Sequence, residues 1–122
     1  MADELKITLQ VQLTNGELKD TINPGQKKFD QTTARAGGPG VVNIGTSEEN
    51  ISFGDITPGY VYLQNLDATN YVEFGMDDSS TIKKLGKLQP GGVALFELAA
   101  SQTLRMIANT AACDVLIKGF NT

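Results

Sequence analysis

The chain has 122 residues, enough for one core of ordinary domain size and too few for a core plus a separate catalytic domain. Hydrophobic residues make up 40% and charged residues 20%, proportions that exclude wholesale disorder. The net charge is −4 and the basic residues are scattered, Lys27-Lys28 and Lys83-Lys84 with Lys87 being the densest groups, so no nucleic-acid partner is expected.

Histidine is absent and Cys113 is the single cysteine. That removes the Ser-His-Asp triad, the Cys-His pair, histidine- or thiolate-ligated zinc and iron–sulfur clusters from consideration. An intrachain disulfide is impossible, and Cys113, set among apolar neighbours in an expected strand, reads as a small core side chain. Met1-Ala2-Asp3-Glu4 is acidic where a secretory signal is basic and then apolar, so synthesis in the cytoplasm is expected. No apolar run approaches the roughly 20 residues of a membrane span, and no membrane partner is expected.

In chain order, Leu5, Ile7, Leu9, Val11 and Leu13 alternate with Lys6, Thr8, Gln10, Gln12 and Thr14, the period-two signature of a strand covered on one face. Asn15-Gly16 predicts a type I′ hairpin turn, with Glu17 to Ile22 as the returning strand. Asn23-Pro24-Gly25 ends it. Gln26 to Ala34, anchored by Phe29, reads as a strand or an extended arm. Arg35-Ala36-Gly37-Gly38-Pro39-Gly40 reads as a loop, since glycine and proline interrupt any regular element. It is not a phosphate-cradling loop, because Val41-Val42-Asn43-Ile44 follows as a strand where such a loop leads into a helix. Thr46 to Asn50 reads as a polar turn and Ile51 to Phe53 as a short strand, broken by Gly54 to Gly59.

Tyr60 to Leu66 is a strong strand by composition. A loop at Asp67 to Asn70 leads to a returning strand, Tyr71 to Phe74, and a second loop spans Gly75 to Ser80. Thr81 to Leu88 is read as a strand because Gly86 disfavours a helix. Gln89 to Gly92 turns the chain into a strand from Val93 to Ala99. Leu104 to Ala108 and Cys113 to Phe120 are expected to form the last pair. The 13 glycines and regular turn spacing predict an all-β domain of about eight to ten short strands, an antiparallel β-sandwich or jelly-roll-like barrel. It occupies 1–122, with 1–35 also readable as a β-hairpin plus extended arm.

Candidate chemistry is confined to carboxylates and tyrosines. Glu48-Glu49 and Asp77-Asp78 are adjacent pairs, and neighbours on extended backbone point to opposite faces. Glu73 and Glu97 lie on separate strands, as glycosidase carboxylates do, but read as solvated charges. Asp77-Asp78-Ser79-Ser80 is oxygen-rich but lacks the glycine-bearing twelve-residue calcium-loop pattern. Tyr60, Tyr62 and Tyr71 are candidates for a sugar platform or for packing. No catalytic, cofactor-binding or metal-binding residue is assigned, and no small-molecule substrate is expected.

The stretch from Phe53 to Phe120 carries a resemblance. Thr57-Pro58-Gly59-Tyr60-Val61-Tyr62-Leu63-Gln64-Asn65-Leu66-Asp67, then Thr69-Asn70-Tyr71-Val72-Glu73-Phe74-Gly75, resembles a block in small virion proteins of tailed bacteriophages. So does Leu88-Gln89-Pro90-Gly91-Gly92-Val93-Ala94-Leu95-Phe96-Glu97-Leu98, with Asn109-Thr110-Ala111 before the final strand. The resemblance implies a non-enzymatic β-sandwich virion protein, made in the host cytoplasm. A capsid decoration (cement) protein bound to the major capsid protein comes first. A tail or baseplate subunit and a jelly-roll carbohydrate-binding module are the alternatives. Open sheet edges, expected on the strands from Tyr60 to Phe74 and Cys113 to Phe120, further imply a homo-oligomer, with a trimer favoured.

Overall fold

A computed structural model gives the structure of Asp3 through Thr122. Two compact units make up the chain, one running to Ala34 and including Thr122, the other running from Arg35 to Asn121. Among the described residues every regular element is a strand. None is a helix long and apolar enough to cross a membrane.

The first unit is a two-stranded ribbon in two segments. Strand β1 (Leu5–Thr8) pairs antiparallel with β4 (Gln26–Phe29), and β2 (Val11–Asn15) pairs antiparallel with β3 (Leu18–Ile22). The expected long strand over Leu5 to Thr14 is therefore broken at Leu9-Gln10. Opposite that break stand Asn23, Pro24 and Gly25. Pro24 has no N–H to give the ladder, and Gly25 takes φ +79°. At the tip, positive φ falls on Gly16 alone of the two central residues, Gly16 and Glu17. That is the type II′ pattern, where Asn15-Gly16 predicted type I′.

The second unit is an antiparallel sandwich. One sheet has the order β10 (Val93–Glu97), β7 (Tyr60–Asn65), β12 (Cys113–Phe120), β5 (Ala36–Ile44). The other has β6 (Glu49–Asn50), β11 (Leu104–Ala108), β8 (Val72–Asp78), β9 (Thr81–Leu88). Alternate residues of each strand turn inward and meet in one core. Ile44, Val61, Leu63, Cys113, Val115 and Ile117 come from the first sheet, and Val72, Leu88, Leu104, Met106 and Ala108 from the second. The sandwich expectation holds, with eight of the twelve strands among the described residues inside it.

Several local expectations are corrected. The run Ala36 to Gly40 is the start of β5, not a loop. It can be a strand because β5 is a sheet edge, where the missing N–H of Pro39 breaks no ladder bond on the open side. A Cβ at Gly38 would crowd the Gly119 nitrogen and the Phe53 ring, and one at Gly119 would crowd the same ring, so the glycines make room for Phe53. Ile51 to Phe53 is not a strand, and the short edge strand β6 lies just before it. Gly75 to Asp78 continues β8 in place of the expected loop. The β8–β9 turn is Ser79-Ser80, with both residues at positive φ.

The pairing also differs from expectation. Strands β11 and β12 are not partners. They lie in different sheets, and Asn109 to Ala112 crosses the sandwich. The loop after β7 crosses likewise, so β8 does not return beside β7. As a result β7 and β12 are central strands, not the open edges anticipated over Tyr60 to Phe74 and Cys113 to Phe120.

Candidate interaction surfaces

Most of the residues considered for chemistry are engaged in structural contacts, and Arg105 serves both Glu48 and Asp77. The Glu48 carboxylate accepts from Arg105 Nε at 3.0 Å and from the Ile82 amide at 2.6 Å. These bonds, the Arg105 one first, hold its pKa below the ordinary carboxylate value. Glu49 instead sits on β6, in register with the buried Met106, and its Oε1 is buried with no hydrogen-bond partner among the described residues. Asp77 faces Arg105 Nη1 at 3.5 Å, whereas Asp78 pairs loosely with Lys83 at 3.7 Å. Glu73 pairs with Lys84 at 3.1 Å on one sheet, and Glu97 accepts from the Tyr60 hydroxyl at 2.8 Å on the other. The glycosidase-like pair is not brought together. Among the described residues no group of three acidic or thiol side chains gathers to hold a metal ion.

Cys113 is buried, and its thiol points at the Ala111 carbonyl, 3.4 Å away. Burial, then the charges of Asp67 and Asp114, push its pKa up, which suppresses the thiolate. The tyrosines form no common platform. Tyr60 is buried against Glu97, Tyr62 donates to Gln64 Oε1 at 3.0 Å, and Tyr71 lies under the Lys87 ammonium at 4.9 Å.

What distinguishes this molecule is the contrast between the two outer faces of its sandwich. On the β6-β11-β8-β9 sheet the outward residues include Glu73, Asp77, Lys84, Lys87 and Arg105. Glu73 with Lys84 and Asp77 with Arg105 are tied by ion pairs, Lys87 lies over the Tyr71 ring, and Arg105 also pairs with Glu48 and donates to Asn50 Oδ1 and to the Ser80 carbonyl. Such a face is stable in water and costly to dehydrate.

On the β10-β7-β12-β5 sheet the register aligns Val93, Gln64, Leu116 and Val41 in one row across all four strands. Three strand spacings make that row about 14 Å long. Val93 and Val41, at its ends, are each 58% exposed. The next row adds Leu95 and Tyr62 before reaching Lys118. Asp114 and Lys118 flank Leu116 along β12, and Asp114 is engaged by Asn43 Nδ2 at 3.0 Å. The row from Val93 to Val41 is thus uncharged and largely apolar.

A third surface lies on the ribbon. The pairing of β2 with β3 puts Val11, Leu13, Leu18 and Ile22 on one face, and all four are exposed. Gln12, Thr14, Lys19 and Thr21 fill the opposite face. The hairpin signal in the sequence reveals the strands, but only the register reveals the row across the sandwich. No family model, curated protein or solved structure matches the chain.

Proposed function

We propose that this chain is a non-enzymatic structural protein of a virion, a decoration protein that attaches to the assembled head of a tailed bacteriophage and stabilises it. The observation that carries the reading is the asymmetry of the sandwich, with an uncharged row from Val93 to Val41 on one outer face and a saturated ionic network around Arg105 on the other. A protein bound flat to a larger surface gains by burying the first and loses nothing by leaving the second in water. The resemblance of the segments at 57–75 and 88–98 to small phage virion proteins points the same way. The major capsid protein is the partner under this reading, and repetition of the site over the shell makes modest single-site affinity sufficient.

Co-sedimentation with undecorated phage heads tests the proposal. Wild-type protein is expected to pellet with the heads. Val41→Asp combined with Val93→Asp, both at exposed positions, is expected to abolish pelleting while leaving the circular dichroism spectrum unchanged. Pelleting of the double variant at wild-type levels, or none by the wild type, would overturn the proposal.

A further inference from the structure

Four strand edges bound the sandwich, and three of them are defended. Strand β5 carries Pro39 and three glycines at positive φ, β6 has two residues, and β9 carries Lys83, Lys84 and Lys87. These are the devices by which natural sheets refuse further strands. Strand β10, Val93-Ala94-Leu95-Phe96-Glu97, has no proline, no lysine, no bulge and, among the described residues, a partner strand on one side only.

Beside β10 the core is left uncovered. A cleft of about 520 Å³ opens between the two sheets, lined chiefly by Phe74, Met76, Leu85, Phe96 and Leu98. Phe74 and Phe96 stack across it with ring centroids 5.9 Å apart. Ala94 and Phe96 face inward, in register with Leu63 and Val61, yet are only partly buried. Leu85 is 69% exposed.

The ribbon has the complementary character. Its apolar face of Val11, Leu13, Leu18 and Ile22 is exposed, and β2 and β3 each have one unpaired edge. One acid, Asp20, sits on that face opposite Leu13. A base stands beside the cleft to meet it, since the exposed Lys83 is in register with the lining residue Met76 and pairs loosely with Asp78 at 3.7 Å. The cleft's own carboxylate, Glu97, is engaged by Tyr60.

We propose that the open edge of β10 accepts a strand from the ribbon of a second copy of this chain, so that the ribbon's apolar face covers the cleft and Asp20 pairs with Lys83. Edge pairing supplies main-chain hydrogen bonds, and the period-two side chains supply register. Two ribbons stacked on each other would bury only a few hundred Å² each, short of the roughly 800 Å² per partner of a stable interface, and would bring two Asp20 carboxylates together. Ribbon on cleft, repeated from copy to copy, adds the edge and the cleft walls to that area. This inference goes beyond attachment to a capsid and is tested without one.

The experiment mixes full-length Asp20→Cys protein with full-length Lys83→Cys protein under mild oxidation. The native Cys113 is buried and adds little background. A disulfide-linked heterodimer is expected at tenfold or more over either variant alone. In analytical ultracentrifugation, Asp20→Lys is expected to weaken self-association about tenfold, and Lys83→Asp in the same chain to restore it. Three outcomes would overturn the proposal. They are cross-linking no greater in the mixture than in the single variants, dimers of Asp20→Cys alone, and an intrachain disulfide in a monomeric Asp20→Cys/Lys83→Cys chain.

Discussion

The side-chain amide of Asn65 donates to the Leu88 carbonyl at 3.0 Å and so joins β7 of one sheet to β9 of the other. The same amide donates to the Asn70 carbonyl at 2.9 Å, and the Asn65 oxygen accepts from the Asp67 amide at 2.9 Å. The residue is fully buried, so these bonds replace water. Asn65→Asp keeps the shape but sets a carboxylate against two carbonyl oxygens. It is expected to cost about 3 kcal/mol or more in urea denaturation, since the Asp67 amide still serves one oxygen but the other is a buried charged oxygen facing two acceptors and bears its desolvation penalty. A loss below about 0.5 kcal/mol, typical of neutral surface changes, would contradict this role.

Gly75 marks the bulge where β8 and β9 shift register. A Cβ there would fall on the Lys83 carbonyl and its neighbouring backbone, which cannot yield as a side chain can. Gly75→Ala is therefore expected at the upper end of single-substitution effects, about 3 kcal/mol or more. Gly16→Ala is the control. It meets no atom and suffers only from its φ of +60°, so about 1–2 kcal/mol is expected. Equal effects of the two changes on urea midpoints would refute the steric account.

The Glu48 carboxylate should shape the acid limb of stability. Its folded pKa is lowered by Arg105 first and the Ile82 amide second, from an ordinary value of 4.5. A depressed carboxylate contributes above its unfolded pKa and loses that contribution as pH falls through the folded value. Thermal melts from pH 6 downward should therefore show wild type declining once the pH passes below 4.5, with Glu48→Gln declining less steeply. Parallel curves would show that the Arg105 contact carries no pH-dependent stability.

Leu9 stands at the break between β1 and β2 and is 48% exposed. Its place in a period-two apolar pattern suggests a core position, where Leu9→Asp would cost several kcal/mol as an unpaired buried charge. The structure predicts instead a change within about 0.5 kcal/mol, the range of surface substitutions. The melting temperature of Leu9→Asp decides between the two.

These cases show how far the sequence is legible. Alternation and turn residues disclose the ribbon and most of the sandwich strands, because periodicity follows burial on one face. The β8–β9 turn escapes because Ser79-Ser80 takes positive φ at both positions without the glycine or asparagine that usually signals it. The start of β5 escapes because Gly38 answers to the Phe53 ring, a contact 15 residues away along the chain. The exchange of sheets between β11 and β12 escapes because a crossing loop and a hairpin loop of similar length look alike. The candidate contact row unites residues from Val41 to Leu116 that only the register aligns.

The most direct test of the account is hydroxyl-radical footprinting of the protein on phage heads against the protein alone. Protection is expected at Val41, Tyr62, Val93, Leu95 and Leu116 on the face of the Val93-to-Val41 row, with Ile82 and Ile107 on the ionic face labelled as before. Protection confined to Ile82 and Ile107, with the Val93-to-Val41 row still labelled, would contradict it.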